Sequence, residues 1–300
     1  MTADDAARAL LEGAYDLHIH SAPDIMPRKG SDLDFARRAA DAGMGGILVK
    51  SHYVSTADRA TLVGQVVAGV RVYGALALNH AVGALNPIAV DVAGRAGARL
   101  IWFPTVDAAN EVEYQKANPG GARAYWFTMQ QELVEKGMSR PPLSVLGEDG
   151  RVSEAARRVL EAIAAHDMIL ATGHLGVEEV VRLAKEAREI GVRRMVATHP
   201  EFPSIAMPVD VQVDLARQGV FMERCYTTAF SGKVSWDEMF AAIRAVGPGG
   251  CVLATDLGQP SGPWPEEGML DFVRRLLEAG FTEAEIRIMA VDNPRSLVEL

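Results

Sequence analysis

Eight short apolar segments alternate with helical segments along the chain, and this order constrains the fold more than any other feature. The predicted strands occupy residues 15–20, 46–52, 72–80, 99–105, 168–174, 194–199, 219–224 and 251–256. Uninterrupted apolar runs indicate strands that are covered on both faces, as in a parallel sheet. Eight strand–helix units predict an α/β fold, the (β/α)8 TIM barrel, with a doubly wound open sheet as the alternative. No Gly-x-Gly-x-x-Gly follows the first strand, which argues against a dinucleotide site.

The length of 300 residues suits a single domain over residues 1–300, since barrels of this kind commonly take about 250 residues. Residues 107–152 depart from the repeating pattern because they are too many for an ordinary connection between a strand and its helix. They follow the fourth strand, on the side where barrel active sites form. We interpret them as a lid-like insertion or a wall of a substrate pocket. A surface insertion or an oligomer contact is the alternative.

The charge balance excludes several classes of partner. The chain has 30 basic and 39 acidic residues, a net charge of -9 and no basic block, so we expect no binding to nucleic acid or to an anionic membrane. No apolar run approaches the roughly 20 residues of a membrane span, and the first residues are polar and acidic, unlike a secretory signal. The two cysteines, Cys225 and Cys251, give no disulfide framework. We therefore expect a cytoplasmic protein with a small-molecule substrate, and the sequence is compatible with a homo-oligomer.

Histidines are concentrated at the ends of the predicted strands. Six of the seven histidines lie there. These six are His18, His20, His52, His80, His174 and His199. Lys50, Glu223 and Asp256 stand at strand ends as well. Since the carboxyl ends of barrel strands converge on one mouth, we predict that these side chains form a single site.

The pair of His18 and His20 predicts a metal site. Side chains two residues apart on a strand point to the same side, so both imidazoles can reach one ion. Neutral imidazole and carboxylate groups together bind divalent metals of hard to borderline character. Such an ion lowers the pKa of a bound water molecule to near neutrality, and Asp256 can both contact the ion and accept the proton. Two ordinary polar residues at a strand end are the alternative interpretation of the pair.

Five segments resemble motifs of the amidohydrolase superfamily of metal-dependent barrels. They are Asp-Leu-His-Ile-His at 16–20, Thr-Gly-His at 172–174, Ala-Thr-His at 197–199, Ala-Thr-Asp at 254–256 and the closing Asp-Asn-Pro-Arg-Ser-Leu at 292–297. The resemblance spans nearly the whole chain. It implies a hydrolase that uses metal-activated water on an amide, ester or phosphoester bond, with one or two divalent ions. Zinc is the expected metal, and manganese and iron are the alternatives.

The resemblance also implies which residues bind the metal. His18, His20 and Asp256 would hold one ion. His174 and His199 would hold a second ion or lie beside the first. In the alternative of a single ion, the ligands would be His18, His20, His174 and Asp256. His199 would then act as an acid, a base or an electrophile.

One position departs from the family pattern. Many members with two ions bridge them through a lysine carbamate or a glutamate on the fourth strand, but here that strand ends in Trp-Phe-Pro-Thr at 102–105. Lys50 on the second strand could supply a bridging carbamate instead. An unmodified ammonium group cannot be a ligand, because a dication repels it. The alternative role of Lys50 is a cation that holds a substrate carboxylate or pairs with Glu223.

Further residues at the mouth are candidates for catalysis or substrate binding. Catalytic roles are predicted for Asp256, His199, His80, His52 and Glu223. Substrate binding is predicted for Arg123, Tyr125 and Arg224. For His52 and His80, the alternative is a hydrogen-bonded histidine at the rim of the barrel. For Glu223, the alternative is a structural ion pair with Arg224.

A metal-dependent hydrolase is the leading hypothesis for the function. A non-oxidative decarboxylase on the same barrel is the first alternative. It would need one ion and cations around a substrate carboxylate, for which Lys50, Arg123 and Arg224 are candidates. A phosphoesterase of the polymerase-and-histidinol-phosphatase type is the second, although the eight predicted strands argue against its seven. A metal-binding protein without catalysis is disfavoured, because the polar groups at the mouth exceed what metal retention needs.

Overall fold

Eight parallel strands form one sheet in the computed structural model, which describes residues 3–119 and 126–299. Each strand pairs with the next one along the chain. The strands are β1 (Tyr15–His20), β2 (Gly46–Lys50), β3 (Arg71–Ala77), β4 (Ala98–Trp102), β5 (Ile169–Ala171), β6 (Arg194–Ala197), β7 (Val220–Cys225) and β8 (Cys251–Ala254). All eight predicted strands are present, in the predicted order.

The sheet closes on itself where the segment after β8 meets β1. The backbone N–H of Asp256 donates to the carbonyl of His18 at 2.8 Å, and the N–H of His20 donates to the carbonyl of Leu257 at 2.7 Å. Ile19 and Leu257 are paired in parallel. The fold is therefore a (β/α)8 barrel, as predicted, and the open doubly wound sheet is excluded.

Helices lie between the strands and cover the outside of the barrel. They are α1 (Ala3–Leu11), α2 (Asp32–Asp41), α3 (Ala57–Val66), α4 (Pro87–Arg95), α5 (Ala109–Ala117), α6 (Phe127–Glu135), α7 (Glu154–Ala165), α8 (Val177–Ile190), α9 (Val209–Arg217), α10 (Tyr226–Phe230), α11 (Trp236–Val246), α12 (Pro265–Glu278), α13 (Glu283–Arg287) and α14 (Asn293–Val298). Short turns of other helical types occupy His80–Val82, Pro248–Gly250 and Ile288–Asp292. None of the described helices has the length and apolar character needed to cross a membrane.

Several strands end earlier than the sequence predicts. β5 ends at Ala171. Two residues later, Gly173 has φ +62°, outside the extended conformation. β6 ends at Ala197, and His199 has φ +26°. His174 and His199 therefore lie in the loops that follow these strands. Such loops build the active sites of barrels, so both residues remain at the mouth.

Two apolar layers stabilise the barrel. Inside it, one cluster takes side chains from all eight strands, including Leu17, Leu48 and Trp102. Leu297 of α14 joins this cluster with Tyr15, at the amino end of β1. Outside the barrel, a larger cluster packs the strands against the surrounding helices. Apolar residues thus fill the amino end of the barrel, and the carboxyl end is left to polar side chains.

The predicted insertion at 107–152 lies between β4 and α7. It contains α5 and α6, which have no counterpart in the regular strand–helix units. Arg123 and Tyr125, for which the sequence predicts substrate binding, lie outside the described residues. The lid-like role of the insertion stays a prediction.

We predict opposite effects on stability for the same substitution at two glycines of one strand–helix unit. In Gly74→Ala, the added Cβ would lie 2.4 Å from the Cα of Ala57, so the contact of β3 with α3 is overpacked. The expected loss of unfolding free energy is about 1–3 kcal/mol. In Gly64→Ala, within α3, no atom lies within 4 Å of the new Cβ. Alanine favours the helix there by about 0.5–1 kcal/mol.

Urea unfolding of both variants and of the wild type measures these changes. Destabilisation of similar size in both variants would contradict the close packing of β3 on α3.

Candidate active site

Three metal-ligating atoms from the first and last strands meet at the mouth of the barrel. Asp256 Oδ1 lies 3.2 Å from His18 Nε2 and 3.1 Å from His20 Nε2. All three atoms lie within 4.8 Å of one another. His18 and His20 belong to β1, and Asp256 follows β8. The closure of the barrel therefore creates this cluster.

A buried carboxylate fixes the two strand ends relative to each other. Asp16 Oδ1 accepts hydrogen bonds from the backbone N–H groups of His18 at 3.2 Å and Thr255 at 3.0 Å. Asp16 Oδ2 accepts one from the Thr255 hydroxyl at 2.5 Å. Burial raises the pKa of Asp16 to about 7, although these donors favour its charged form. Asp16 thereby holds the residue before Asp256 against the backbone of His18.

The end of β1 departs from strict alternation. Its register against β2 shifts by one residue between Asp16 and Ile19, which is a β-bulge. Leu17 packs in the interior cluster, and the next side chain, His18, reaches Asp256. Regular pleating would place two neighbours on opposite faces, so the bulge aims His18 at the site.

Five imidazole rings surround the centre of the mouth. Neighbouring ring centroids are separated by 5.4 Å for His18–His20, 4.9 Å for His20–His52, 6.3 Å for His52–His174, 5.0 Å for His174–His199 and 6.0 Å for His199–His18. The structure thus brings together all the histidines predicted at strand ends except His80.

Four of the rings, those of His18, His20, His52 and His199, are held in their neutral form. Burial is the main cause that lowers the pKa of His18 and that of His199, each to about 3. Burial also lowers the pKa values of His20 and His52 well below the usual range. A neutral ring keeps a lone pair on one nitrogen, which a metal ligand requires.

Lys50 points into the same cluster. Its Nζ donates a hydrogen bond to His18 Nε2 at 2.9 Å and lies 4.5 Å from the centre of the Trp102 ring. Because an ammonium group can only donate, His18 Nε2 holds the lone pair and Nδ1 holds the proton. Burial lowers the pKa of Lys50 to about 8.

Glu223 lies behind His18 rather than on the wall of the site. Its Oε2 accepts a hydrogen bond from His18 Nδ1 at 3.1 Å. Carboxylates in this position orient metal-binding histidines and raise their basicity. Burial raises the pKa of Glu223 to about 7. This contact places Glu223 behind His18, and its predicted catalytic role stays a prediction.

Arg28 contacts His20 on Nδ1, the nitrogen that does not face Asp256. Arg28 Nη2 lies 3.3 Å from His20 Nδ1, and the guanidinium pairs with Asp24 at 2.7 Å. Arginine is always a donor, so this contact leaves the His20 proton on Nε2. A metal ligand at Nε2 requires the other tautomer. The donor set fits a divalent ion if Arg28 gives up this contact when the ion binds.

A cavity of about 310 Å³ opens at the mouth. Six of the predicted site residues line it, namely His20, Lys50, His52, His174, His199 and Asp256. His18 lies beneath it and is fully buried. Trp126, Phe202 and Phe230 add apolar surface to the wall. An apolar wall with a few convergent polar groups is typical of a site for a small molecule.

Arg224 does not face this cavity. It follows Glu223 on β7, and consecutive strand residues point to opposite faces. Its side chain is fully buried, pairs with Glu201 and donates to Gln212 Oε1 at 2.8 Å. The predicted substrate contact of Arg224 is therefore wrong, and so is its predicted ion pair with Glu223.

His80 also lies away from the histidine ring. It begins a short helical turn after β3, where its backbone N–H donates to Asp107 Oδ2 at 2.8 Å. Its Nε2 lies 2.9 Å from the carbonyl oxygen of Pro141. The ring lines a second cavity, between the barrel and α6. The structure therefore places His80 outside the ring of five histidines, contrary to the predicted single site, and its predicted catalytic role stays a prediction.

Glu111, a buried residue of α5, belongs to the site although the sequence analysis missed it. Its Oε2 lies 3.1 Å from His174 Nδ1 and accepts a hydrogen bond from the Ser204 hydroxyl at 2.5 Å. Asn110 Nδ2 donates to the carbonyls of His174 at 3.1 Å and Ser204 at 2.7 Å. Burial alone would raise the pKa of Glu111, but the contacts with His174 and Ser204 lower it to about 2. No sequence signal marks it, since a glutamate in a polar helix resembles a solvated residue.

Two residues of the site have backbone conformations that are costly for side chains other than glycine. His199 has φ +26° and Asp256 has φ +54°. Such strain costs about 1–3 kcal/mol per residue and clusters at functional sites. His199 Nδ1 is also buried without a hydrogen-bond partner among the described residues. These features indicate side chains that are kept in place to bind a ligand.

A family model matches residues 13–223, more than half of the chain, and carries the description "family of unknown function (DUF6282)". The chain belongs to this DUF6282 family. The matched range includes all five histidines of the ring and ends before Asp256. No protein of curated function is similar enough in sequence to match the chain.

Solved structures of amidohydrolase-type enzymes share the barrel of this DUF6282 member. An amidohydrolase from Pseudomonas aeruginosa superposes with a TM-score of 0.61 at 12% identity, over 99% of this chain and 98% of that chain. A mutant of a PTE-like lactonase from Deinococcus radiodurans gives a TM-score of 0.58 at 14% identity, over 97% of each chain. The predicted resemblance to amidohydrolase-type barrels is confirmed. At these identities it establishes the fold.

We predict that Glu111→Gln weakens metal binding without unfolding the barrel. The amide keeps the size of the side chain but removes its negative charge. In the wild type this charge lies beside His174 Nδ1, where we expect it to orient and polarise the ring. Loss of such a carboxylate typically lowers metal affinity by about 10–100-fold. Competition with a zinc chelator measures the affinity. Glu113→Gln, at an exposed position of the same helix, is the control and should bind zinc as the wild type does. Equal affinities in all three proteins would refute the role of Glu111.

Proposed function

We propose that this protein is a metal-dependent hydrolase that acts on a small molecule. One observation carries the proposal: His18 Nε2, His20 Nε2 and Asp256 Oδ1 converge within 4.8 Å of one another at the barrel mouth. These atoms would hold one divalent ion, and His174 and His199 are the candidates for further ligands. Imidazole and carboxylate ligands suit zinc, with manganese and iron as the alternatives.

The surrounding groups suit the hydrolysis of an amide, ester or related bond. A bound divalent ion polarises a carbonyl group and makes water a nucleophile near neutral pH. Asp256 can accept the proton of the attacking water on its carboxylate. His199 Nδ1, which has no partner among the described residues, can hydrogen-bond the reacting group. Trp126 and Phe202 narrow the cavity and exclude other water from it.

The alternative functions have less support. Of the cations suggested for a decarboxylase, Arg224 pairs with Glu201 and is turned away from the cavity, so it cannot hold the carboxylate that would be removed. The phosphoesterase type has seven strands, whereas this sheet has eight. Amidohydrolase-type barrels among the similar structures agree with a hydrolase.

Removal of the paired histidines should abolish metal binding while the barrel remains folded. We expect His18→Ala/His20→Ala to retain less than roughly a tenth of the wild-type zinc, because two of three converging ligands are lost. Elemental analysis measures the zinc, and circular dichroism reports the fold. His166→Ala is the matched control, since its ring contacts Asp91 on the outer surface at 2.7 Å.

The same proteins test the reaction. Zinc-loaded wild type should hydrolyse members of a panel of small amides and esters, lose this activity with a chelator and regain it with zinc. Full metal content in the double variant, or a wild type that takes up no metal, would overturn the proposed function.

Lys50 decides how many ions the site holds. Its Nζ lies 2.9 Å from His18 Nε2, so an ammonium group there would repel an ion on that nitrogen. We propose that the neutral amine adds carbon dioxide and releases a proton, which gives a carbamate that can bridge two ions.

Native mass spectrometry in bicarbonate should show the added mass of one carbon dioxide and two zinc ions. Lys50→Met should lack the adduct and hold one ion. Identical masses and one ion in both proteins would instead establish a single-ion site.

A further inference from the structure

We propose that the substrate carries a carboxylate, remote from the bond that is hydrolysed, and that Lys233 binds this carboxylate at the rim of the cavity. The inference rests on the proposed function and names its substrate class: short carboxylic acids that bear an amide or ester. Lys233 would thus determine specificity for acids over neutral molecules of the same size.

Lys233 stands close to the histidine ring but outside it. It follows α10, in the loop after β7, and it lines the cavity at the mouth. Its Nζ lies 5.2 Å from the centre of the Phe202 ring. The Phe202 ring centroid lies 4.8 Å from that of His199. One aromatic side chain therefore separates the ammonium group from the candidate catalytic groups.

Among the described residues, a single acidic side chain lines the cavity. The chain has a net charge of -9, yet the acid of the wall, Asp256, stands among three basic side chains, Arg28, Lys50 and Lys233. Arg28 pairs with Asp24 at 2.7 Å, and Lys50 contacts His18 Nε2 at 2.9 Å and would lose its positive charge as the proposed carbamate. Lys233 remains as the cation whose charge the cavity does not balance.

The hydrogen bonds of Lys233 leave room for a ligand. Among the described residues its Nζ forms no ion pair, and it donates to Ser231 Oγ at 3.0 Å. An ammonium group has three N–H donors, so two remain for an anion in the cavity. Burial lowers the pKa of Lys233, and the negative charges of Asp256 and Glu111 partly oppose this shift. A bound anion would compensate the ammonium group for the hydration that it loses on burial.

Charge favours a monocarboxylate over a phosphate, and the size of the cavity favours a short one. One unbalanced ammonium matches a single negative charge, whereas a phosphate monoester carries about 1.5–2 charges near pH 7. The cavity volume of about 310 Å³ lies at the lower end of the range for small-molecule sites, about 300–1,000 Å³. Phe202, Phe230 and Met26 also line the cavity, so its wall suits a short apolar linker.

Matched hydroxamates test the proposal with the full-length, zinc-loaded protein. Hydroxamates bind zinc, so the monohydroxamates of succinic and glutaric acid place a carboxylate at two distances from the ion. Their terminal amides are neutral probes of the same size. Isothermal titration should show the better acid binding roughly tenfold to a hundredfold more tightly than its amide, the value expected for a hydrogen-bonded charge pair.

Variants assign this preference to Lys233. Lys233→Met should lower the affinity for the acid to that for the amide and leave the amide unchanged, and Lys233→Arg should keep the preference. Lys185→Met, on the exposed face of α8, changes the net charge equally and should behave as the wild type. Thermal unfolding shows that each variant is folded.

Each contrary result has a distinct meaning. Equal binding of acids and amides by the wild type, or a preference that survives in Lys233→Met, would overturn the role of Lys233 and leave the hydrolase intact. Tighter binding of the matching phosphonate would overturn the choice of a carboxylate. Failure of every hydroxamate to bind would overturn the metal site, and with it both proposals.

Discussion

The site depends on the closure of the barrel between β1 and the segment that follows β8. Backbone hydrogen bonds join the two segments, and the buried Asp16 binds Thr255 across the seam. His18 and His20 lie on one side of this seam and Asp256 on the other. An open sheet would leave these groups at opposite edges. Closure therefore stabilises the fold and brings the candidate metal ligands together by the same contacts.

Two buried glutamates lie behind imidazoles of the site, and they come from different parts of the fold. Glu223 on β7 lies 3.1 Å from His18 Nδ1, and Glu111 on α5 lies 3.1 Å from His174 Nδ1. A carboxylate on the far nitrogen of a histidine turns the near nitrogen toward the site. Because α5 belongs to the segment at 107–152, part of this insertion supports the site directly.

The order of the strands and the gathering of the histidines could be predicted because both follow from local patterns and one property of the fold. Apolar runs locate the strands, and barrel topology brings their carboxyl ends together. The predictions that failed concern the direction in which a side chain points. Glu223 and Arg224 are neighbours on β7, so only one of them can face inward, and the sequence does not say which. His80 follows β3, but the chain turns outward before the side chain can reach the mouth.

The sequence by itself determined the eight strand–helix units, the polar strand ends and the identity of the candidate ligands, since periodicity and residue type are local properties. Tertiary structure decided which groups meet. The bulge in β1 aims His18 at Asp256, and the helix α5 places Glu111 against His174. It also left Lys233 on the cavity wall without a carboxylate partner among the described residues. These contacts join residues far apart in the chain, so no local pattern can specify them.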